Sequence, residues 1–424
     1  MVPTNHLNPC RSSRGWLTAF FVVGLLVRLG LAFHVGINEP PRPGSDSDEY
    51  DTYAWNLAQG RGYRGMSPDV TNPDHITAYR APGTSVLWAV LYRVFGHRYS
   101  IVRITHCLLG AFTIFLVYGI GKRCFSEPVG LLAAATFAIW PTSLFYSSQL
   151  ASEPLFTLLF SWYILLSLQF DERPTLEFAL GAGVVLGLAM LTRANAVFMV
   201  PLAALWAWRQ FQDRGKILRL GLAIPAVAVA TLVPWMVRNA VVFHEFLPFG
   251  TGGGDVLLGG NNRVVATDPA YYGYWVFPTS SLPEYQQQLQ APNDELLRDR
   301  LEKQLAWQWL KDHPNRWWYL LQAKFRRSLT PFLETQSPRL YRIGMFVSWG
   351  PVLLLAALAF FPTALVFFRT KHPGWVLHLG IIHFELTALV FWGASRFRYP
   401  VEGLCIILAW SSVTWLWDKA HQTA

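Results

Sequence analysis

About ten stretches of this chain each hold a near-continuous apolar run, close to the roughly 20 residues needed to cross a bilayer. No other feature constrains the fold as much. Backbone N–H and C=O groups in hydrocarbon must be satisfied within the chain, so runs of this length span as helices. They lie at 16–36, 99–121, 128–147, 153–170, 177–193, 195–209, 218–236, 342–368, 374–393 and 399–417. Composition agrees: 52% of the 424 residues are hydrophobic and only 14% charged, against about 25% charged in an ordinary soluble domain. The expected fold class is an all-α multi-pass membrane protein with about ten transmembrane helices.

The distribution of charge orients the chain. With the N-terminus inside, the inside segments carry Arg11, Arg14, Lys122, Arg123, Arg173, the cluster Arg209 to Arg219, Arg369, Lys371 and Lys419, whereas the short outside turns carry only Arg193, Arg396 and Arg398. Short cytoplasmic loops collect Lys and Arg, which supports this orientation in a cytoplasmic (inner) membrane. The same scatter in ones and twos leaves no basic stripe, so the net charge of +9 implies no nucleic-acid partner. The first run is read as an uncleaved span, since it contains Arg28 and no small-x-small cleavage site follows. Cys10, Cys107, Cys124 and Cys405 lie far apart without a C-x-x-C spacing, so neither a disulfide framework nor a structural zinc site is encoded. No His pair has the H-E-x-x-H arrangement. No metal site and no cofactor is therefore expected, although the pattern does not decide whether a divalent cation assists.

Two long polar segments, 37–98 and 237–341, interrupt the spans and fall on the outer face in this orientation. They hold 17 of the 26 acidic residues, so the polar chemistry concentrates outside. The expected organisation is an N-terminal transmembrane module over 1–236 that includes the outer loop 37–98, an extracytoplasmic region over 237–341, and a C-terminal transmembrane module over 342–424. Within the first loop, Gly44 and Gly60 bracket a helix-forming stretch, and 84–96 is apolar for too short a distance to span, which predicts a helix lying on the bilayer. The second loop opens with the Gly-rich run GTGGGDVLLGGNN and later predicts a helix from about Glu295 to Ser328, broken at His313-Pro314-Asn315, with Trp residues suited to the headgroup level. No fixed-period repeat is present, which counts against solenoids and inverted-repeat transporters.

The acidic group Asp46, Asp48, Glu49 and Asp51 follows the first span. On a helix Asp46, Glu49 and Tyr50 share one side while Asp48 and Asp51 take another. A solvated acidic turn and a general base for a hydroxyl both fit those residues alone. Glu153 opens a span beside Pro154, where the helix dipole favours a carboxylate, with either a structural or a substrate-contact role. Glu385, mid-span, is a functional candidate or a partner for Arg28 of the first span. The Gly-rich run 250–260 lacks the Lys-Ser/Thr of a P-loop and is expected to be mobile or close-packed.

Longer motifs carry a resemblance. SDSDEYDTYAWNLAQGRGY and TAYRAPGTSVLWAVLYRVFG in the first loop are followed in order by SSQLASEPLFTLL, GLAMLTRANAVFMVP, PWMVRN, GGNN and SRFRYP. Together they resemble the bacterial polytopic glycosyltransferases of the GT-C type, related to the protein O-mannosyltransferases and the lipid A aminoarabinose transferases. The resemblance implies inverting transfer of a sugar from a polyprenyl-phosphate donor to an acceptor hydroxyl on the outer face, with an unidentified protein, lipid or glycan as acceptor and membrane lipids around the enzyme. It implies Asp46 as the base, because the family places that Asp four residues before the Tyr that is Tyr50 here; Asp48 and Glu49 are the fallback. It also implies Tyr50, Tyr79, Glu153, Arg193, Asn261 and Asn262 as further substrate-binding residues. Departures are Arg80-Ala81-Pro82 where relatives often have Pro-Pro after the cation, and Ser45 where many have Gly.

Breaking the sugar–oxygen bond leaves a polyprenyl phosphate of increased charge, which fixed cations stabilise with little reorganisation. Arg80, Arg238, Arg396 and Arg398 are the candidates for binding that phosphate, with Arg193 beside them. In an extended segment Arg396 and Arg398, two apart, would point the same way. A transporter or flippase for a lipid-linked saccharide is the alternative function, and a silent scaffold a third. The crowding of polar groups at one surface, rather than at the bilayer midplane, favours the enzyme.

Overall fold

A computed structural model describes residues 9–67, 72–290, 294–330 and 339–422. Every regular element among the described residues is a helix. Helix α1 (Pro9–Val35) leads into the first long loop, which holds α2 (Asp46–Ala58) and α3 (Gly83–Phe95). Next come α4 (Tyr99–Cys124), α5 (Glu127–Ala138), α6 (Pro141–Ser148), α7 (Glu153–Glu172) and α8 (Leu176–Thr192), then a 3₁₀ turn Ala194–Phe198 before α9 (Met199–Phe211), α10 (Gly215–Thr231) and α11 (Val233–Phe243). The second long loop contains α12 (Gly253–Gly260), α13 (Arg263–Thr267), α14 (Pro278–Ser281), α15 (Pro283–Gln290), α16 (Glu295–Asp312) and α17 (Pro314–Leu329). The chain closes with α18 (Arg339–Thr370), α19 (Trp375–Val390) and α20 (Ser395–Gln422). Residues 331–338 lie outside the described residues, and the expected boundary at 341/342 falls within the first turn of α18.

Among the described residues six helical stretches are long and apolar enough to cross a membrane: Ser13–Val35, Tyr99–Cys124, Glu153–Glu172, Gly215–Phe243, Arg342–Thr370 and Ser395–Gln422. A seventh arises if α5 and α6, bent by 47°, form one broken span. The expectation of about ten counted three further runs that fold as short helices. At 1.5 Å per residue, the 17 residues of α8 and the 16 of α19 reach only ~24–26 Å, short of a ~30 Å hydrocarbon core. The run at 195–209 is split between the 3₁₀ turn and α9. Hydropathy registers such apolar runs and misses the breaks between them.

Burial separates the centre of the bundle from its rim. In the most apolar windows of α7 and α20, 72% and 67% of residues are buried, against 17% in those of α1 and α18. Large side chains such as Leu354, Leu358 and Phe361 on α18 point outward, as a lipid-facing helix requires. The α5–α6 break is stabilised from α1: the Arg28 guanidinium, fully buried, donates to the carbonyls of Ala138 at 2.7 Å and Phe137 at 3.3 Å and to Ser143 Oγ at 2.8 Å. A cation thus satisfies carbonyls that the end of α5 leaves without helical partners. Of the two readings of Glu385, the pairing with Arg28 is not formed, and Glu385 instead accepts from Ser328 Oγ at 2.9 Å.

The loops pack on one another at one end of the bundle. Helix α3 turns Trp88, Ala89 and Tyr92 toward α2 and exposes Val86, Val90 and Val94. A stripe at i, i+4 and i+8 on the outer side suits a helix resting on a lipid surface. The second loop has its own core around Leu258, Val265, Leu305 and Trp309, and α16 and α17 meet at His313. The Gly-rich run is close-packed. A Cβ at Gly250 would sit 2.0 Å from the carbonyl oxygen of Ala78, and one at Gly254 2.4 Å from that of Asp299. Only glycine lets the run approach the first loop so closely.

Candidate active site

Asp46 is the first residue of α2, entered through Gly44 at φ +73°, a conformation that favours glycine. The first turn of a helix stabilises negative charge. The four acids then diverge with the helical repeat. Asp46 and Glu49 face Arg80, Asp48 Oδ2 accepts from the Gly44 N–H at 2.9 Å, and Asp51 turns into α3, where Tyr92 donates to it at 2.6 Å and His97 Nε2 lies 2.9 Å away.

From Glu49 a row of alternating charge runs across the junction of α2, α7, α8 and α20. Arg80 donates from Nε to Glu49 Oε2 at 2.6 Å and from Nη2 to Asp46 Oδ1 at 2.8 Å. Arg396 donates from Nη1 to the other oxygen, Asp46 Oδ2, at 2.7 Å and from Nε to Glu153 Oε1. Arg193 completes the row, 2.7 Å from the same Glu153 oxygen and 3.1 Å from Ser152 Oγ. Glu153 is wholly buried, whereas the Asp46 and Arg396 side chains are about one-third exposed, at 35% and 33%. The middle of the row is therefore the part open to a ligand.

The electrostatics of the two α2 carboxylates differ. Burial alone would raise the pKa of Asp46, but the guanidiniums of Arg80 and Arg396 outweigh it and hold the group well below the usual carboxylate range. At Glu49 burial prevails over the single partner Arg80, and the pKa is raised. Arg80 is held firmly charged because Asp46 and Glu49 outweigh its own burial. Neighbouring charges and desolvation compete, and the number of cationic partners decides the outcome.

Two cavities meet at this row, with Asp46, Arg80, Arg396, Tyr79 and Trp392 lining both. The first, of about 560 Å³, extends over Asp48, Glu49 and Asp255 to Trp275 and Ser280. The second, of about 450 Å³, runs past Tyr50, Arg193 and Lys303 between apolar walls that include Phe198, Phe249 and Phe391. Both are of a size that takes small ligands.

The other expected site residues fall in different places. The Tyr50 ring packs edge-on against Trp88 and lines the second cavity. Tyr79 donates to Asp255 Oδ2 at 2.9 Å, and its ring lies 4.8 Å from the Arg80 guanidinium. Arg238 stands behind the row, donating to the carbonyls of Thr77 at 3.0 Å and Tyr63 at 3.2 Å and stacking on Trp235. Asn261 accepts from Lys324 Nζ at 2.7 Å and donates to the carbonyls of Leu257 and Val390, while Asn262 caps α13 through Val265 N at 3.1 Å. Asn261 ties the second loop to the end of α19, whereas Asn262 bonds only within that loop.

Arg398 does not join Arg396. The segment is the start of α20 rather than extended chain, so residues two apart are turned ~200° from one another. Arg398 is buried, 2.7 Å from Glu402 Oε1, with the carbonyls of Ser328 and Thr330 at 3.1 and 2.8 Å and the Trp349 ring 4.1 Å away.

Sequence reasoning did not single out Asp255, Lys303, Trp275, Trp392 or Glu295. Asp255 is the one acid inside the Gly-rich run. Glu295, at the start of α16, accepts from Thr77 Oγ1 at 2.8 Å, Ala78 N at 2.9 Å and Thr251 Oγ1 and meets His75 Nε2 at 3.0 Å. It fixes the strip that ends in Arg80. Among the described residues no group of three or more His, Cys, Asp or Glu is placed to hold a metal ion.

Comparison with known proteins bears on this arrangement. Residues 79–235 match the family described as dolichyl-phosphate-mannose-protein mannosyltransferase. The chain is related to the GT-C glycosyltransferases. Over 173 residues the chain is 29% identical to an undecaprenyl phosphate-alpha-4-amino-4-deoxy-L-arabinose arabinosyl transferase of Pseudomonas fluorescens, a match covering 38% of this chain and 28% of that one. Its fold is that of the Archaeoglobus fulgidus oligosaccharyltransferase. The apo crystal structure superposes with a TM-score of 0.61 at 15% identity, over 98% of this chain and 52% of that one. The same enzyme in complex with an inhibitory peptide and a dolichol-phosphate gives 0.58 at 14% identity, over 96% and 51%. The chain thus spans about half the length of that enzyme, and the likeness concerns the fold.

Proposed function

We propose that the chain is a membrane glycosyltransferase that moves a sugar from a polyprenyl-phosphate donor to an acceptor hydroxyl on the outer face, with inversion and with Asp46 as general base. One observation carries this reading: Asp46 sits where two cavities meet, with a guanidinium on each oxygen. The second cavity offers cations beside apolar walls, the complement of a phosphate on a prenyl chain. The acceptor approaches from the first. The hydroxyl oxygen attacks the anomeric carbon, its proton passes to Asp46, and the bond from that carbon to the phosphate oxygen breaks with its electron pair left on polyprenyl phosphate. Arg80 and Arg396 stabilise that charge. As they turn to the phosphate their hold on Asp46 weakens, and the carboxylate becomes a better base when the donor is in place.

The reading is tested with the purified chain in liposomes, supplied with undecaprenyl-phosphate sugars and a cell-envelope acceptor fraction. Transfer with the anomeric configuration inverted, read by NMR of the product, supports it. Retention of configuration, or movement of intact lipid-linked sugar between leaflets without transfer, overturns it.

A further inference from the structure

The two cavities present opposite charge. Resting on the transfer reading above, we infer that the first cavity is the acceptor side and takes an uncharged or cationic saccharide, held by Asp255 and Ser67. Its lining sets four carboxylates, Asp46, Asp48, Glu49 and Asp255, against the guanidiniums of Arg80 and Arg396. The second sets Arg80, Arg193, Arg396 and Lys303, whose ammonium also meets Asp299, against Asp46 alone. A phosphate entering the first cavity meets an excess of like charge in a partly dehydrated space, where repulsion is strong. Entering the second, it meets cations. The donor phosphate therefore belongs in the second cavity, and a phosphorylated acceptor is disfavoured in the first.

The walls of the first cavity specify more than charge. Four aromatic residues, Tyr274, Trp275, Phe277 and Trp392, line it. The Trp275 and Phe277 centroids are 4.3 Å apart, and those of Tyr274 and Trp392 5.1 Å. Thr52, Ser67, Thr279 and Ser280 line the same cavity. A pyranose has apolar C–H faces and a rim of hydroxyls, and a lining that combines aromatic rings with hydrogen-bonding groups matches both. Two of the lining residues supply the polar contacts. Ser67 is only 6% exposed and its hydroxyl has no hydrogen-bond partner among the described residues. Native structures rarely leave a buried hydroxyl unpaired, and a ligand hydroxyl supplies the partner. Asp255, 7% exposed, is oriented by the Tyr79 hydroxyl, and Tyr79 in turn lies against Arg80. That carboxylate accepts from an acceptor hydroxyl or ammonium and fixes the sugar relative to Asp46.

The test uses membranes carrying the full chain and tritium-labelled undecaprenyl-phosphate mannose, glucose and aminoarabinose, with products separated by anion exchange. Label is expected in saccharide material that the exchanger does not retain. Asp255→Asn and Ser67→Ala are each expected to lower transfer about tenfold or more while undecaprenyl phosphate binding stays within about twofold. Label appearing chiefly in phosphorylated glycolipid or in protein overturns the inference, as does unchanged transfer in both variants. Should Asp255→Asn also lose undecaprenyl phosphate binding, Ser67→Ala and the distribution of label in the parent decide. If no label leaves any of the donors, the transfer reading itself fails and this inference falls with it; a donor that is consumed into the wrong acceptor class sinks only the inference.

Discussion

Arg396 and Arg398 share one hexapeptide and have opposite surroundings. Arg396 reaches a row of charges one-third open to two cavities, and its partner Asp46 is shared with Arg80. Arg398 is closed off with Glu402 and two backbone carbonyls, both charged side chains essentially unexposed. The difference teaches what makes an ion pair available for chemistry. An open, shared pair can exchange one member for an incoming phosphate. A saturated buried pair can only be broken, and breaking it leaves a charge without water or partner.

The sharpest attack on this comparison is at the shared carboxylate. Asp46→Asn keeps the shape and removes the basicity, so turnover should fall by about 100-fold or more with donor binding largely retained; full activity in the variant would transfer the role to Asp48 or Glu49. Next comes the arginine pair. Arg396→Ala should lower turnover by the ~2.7–4 kcal/mol typical of a lost oxyanion donor with little change in thermal unfolding. Arg398→Ala should do the reverse, destabilising the fold by about 3–5 kcal/mol while the folded fraction still turns over. Equal effects of the two on turnover per folded molecule would erase the distinction. Arg396→Lys should give an intermediate defect, since it keeps the charge and loses the forked geometry that joins Asp46 to Glu153; wild-type rates in this variant would mean that a point charge suffices.

The smallest expected effect is in the pH dependence of stability. A carboxylate depressed in the folded state contributes stability that is fully present above its unfolded pKa of about 3.9 and is lost as pH falls toward the folded value. The gap in unfolding temperature between the parent and Asp46→Asn should therefore hold from pH 7 to 5 and close below about pH 4. Glu49, raised in the folded state, has the opposite sign. The stability it contributes is present below about pH 4.3 and is lost as pH rises through its folded value, so Glu49→Gln should gain on the parent as pH rises from 4 toward 7. A Glu49→Gln profile that followed Asp46→Asn would show that the two carboxylates share one environment.

How much of this was legible beforehand differs by residue. The helix over Asp46–Ala58, the helix at Gly83–Phe95 and the break at His313 follow from local chemistry: bracketing glycines, a short apolar run, and a proline at a first turn. The broken span at α5–α6 was not legible, because the Arg28 that caps it comes from 110 residues away. Asn261 and Asn262 stood out in sequence and proved to hold backbone together, whereas Asp255 gave no signal apart from its glycine-rich setting.

Sequence by itself determined the membrane class, the two polar loops and the acidic opening of α2, since these depend on runs and turns within a few residues of one another. Only the tertiary structure decided which charges meet. The row Glu49–Arg80–Asp46–Arg396–Glu153–Arg193 draws on segments up to 350 residues apart, and the direction of each guanidinium is set by the phase of the helix that carries it. A change from extended chain to helix at Ser395 is enough to send Arg396 to the site and Arg398 into the bundle, because the angle between neighbours two apart depends on backbone conformation rather than on their spacing in sequence.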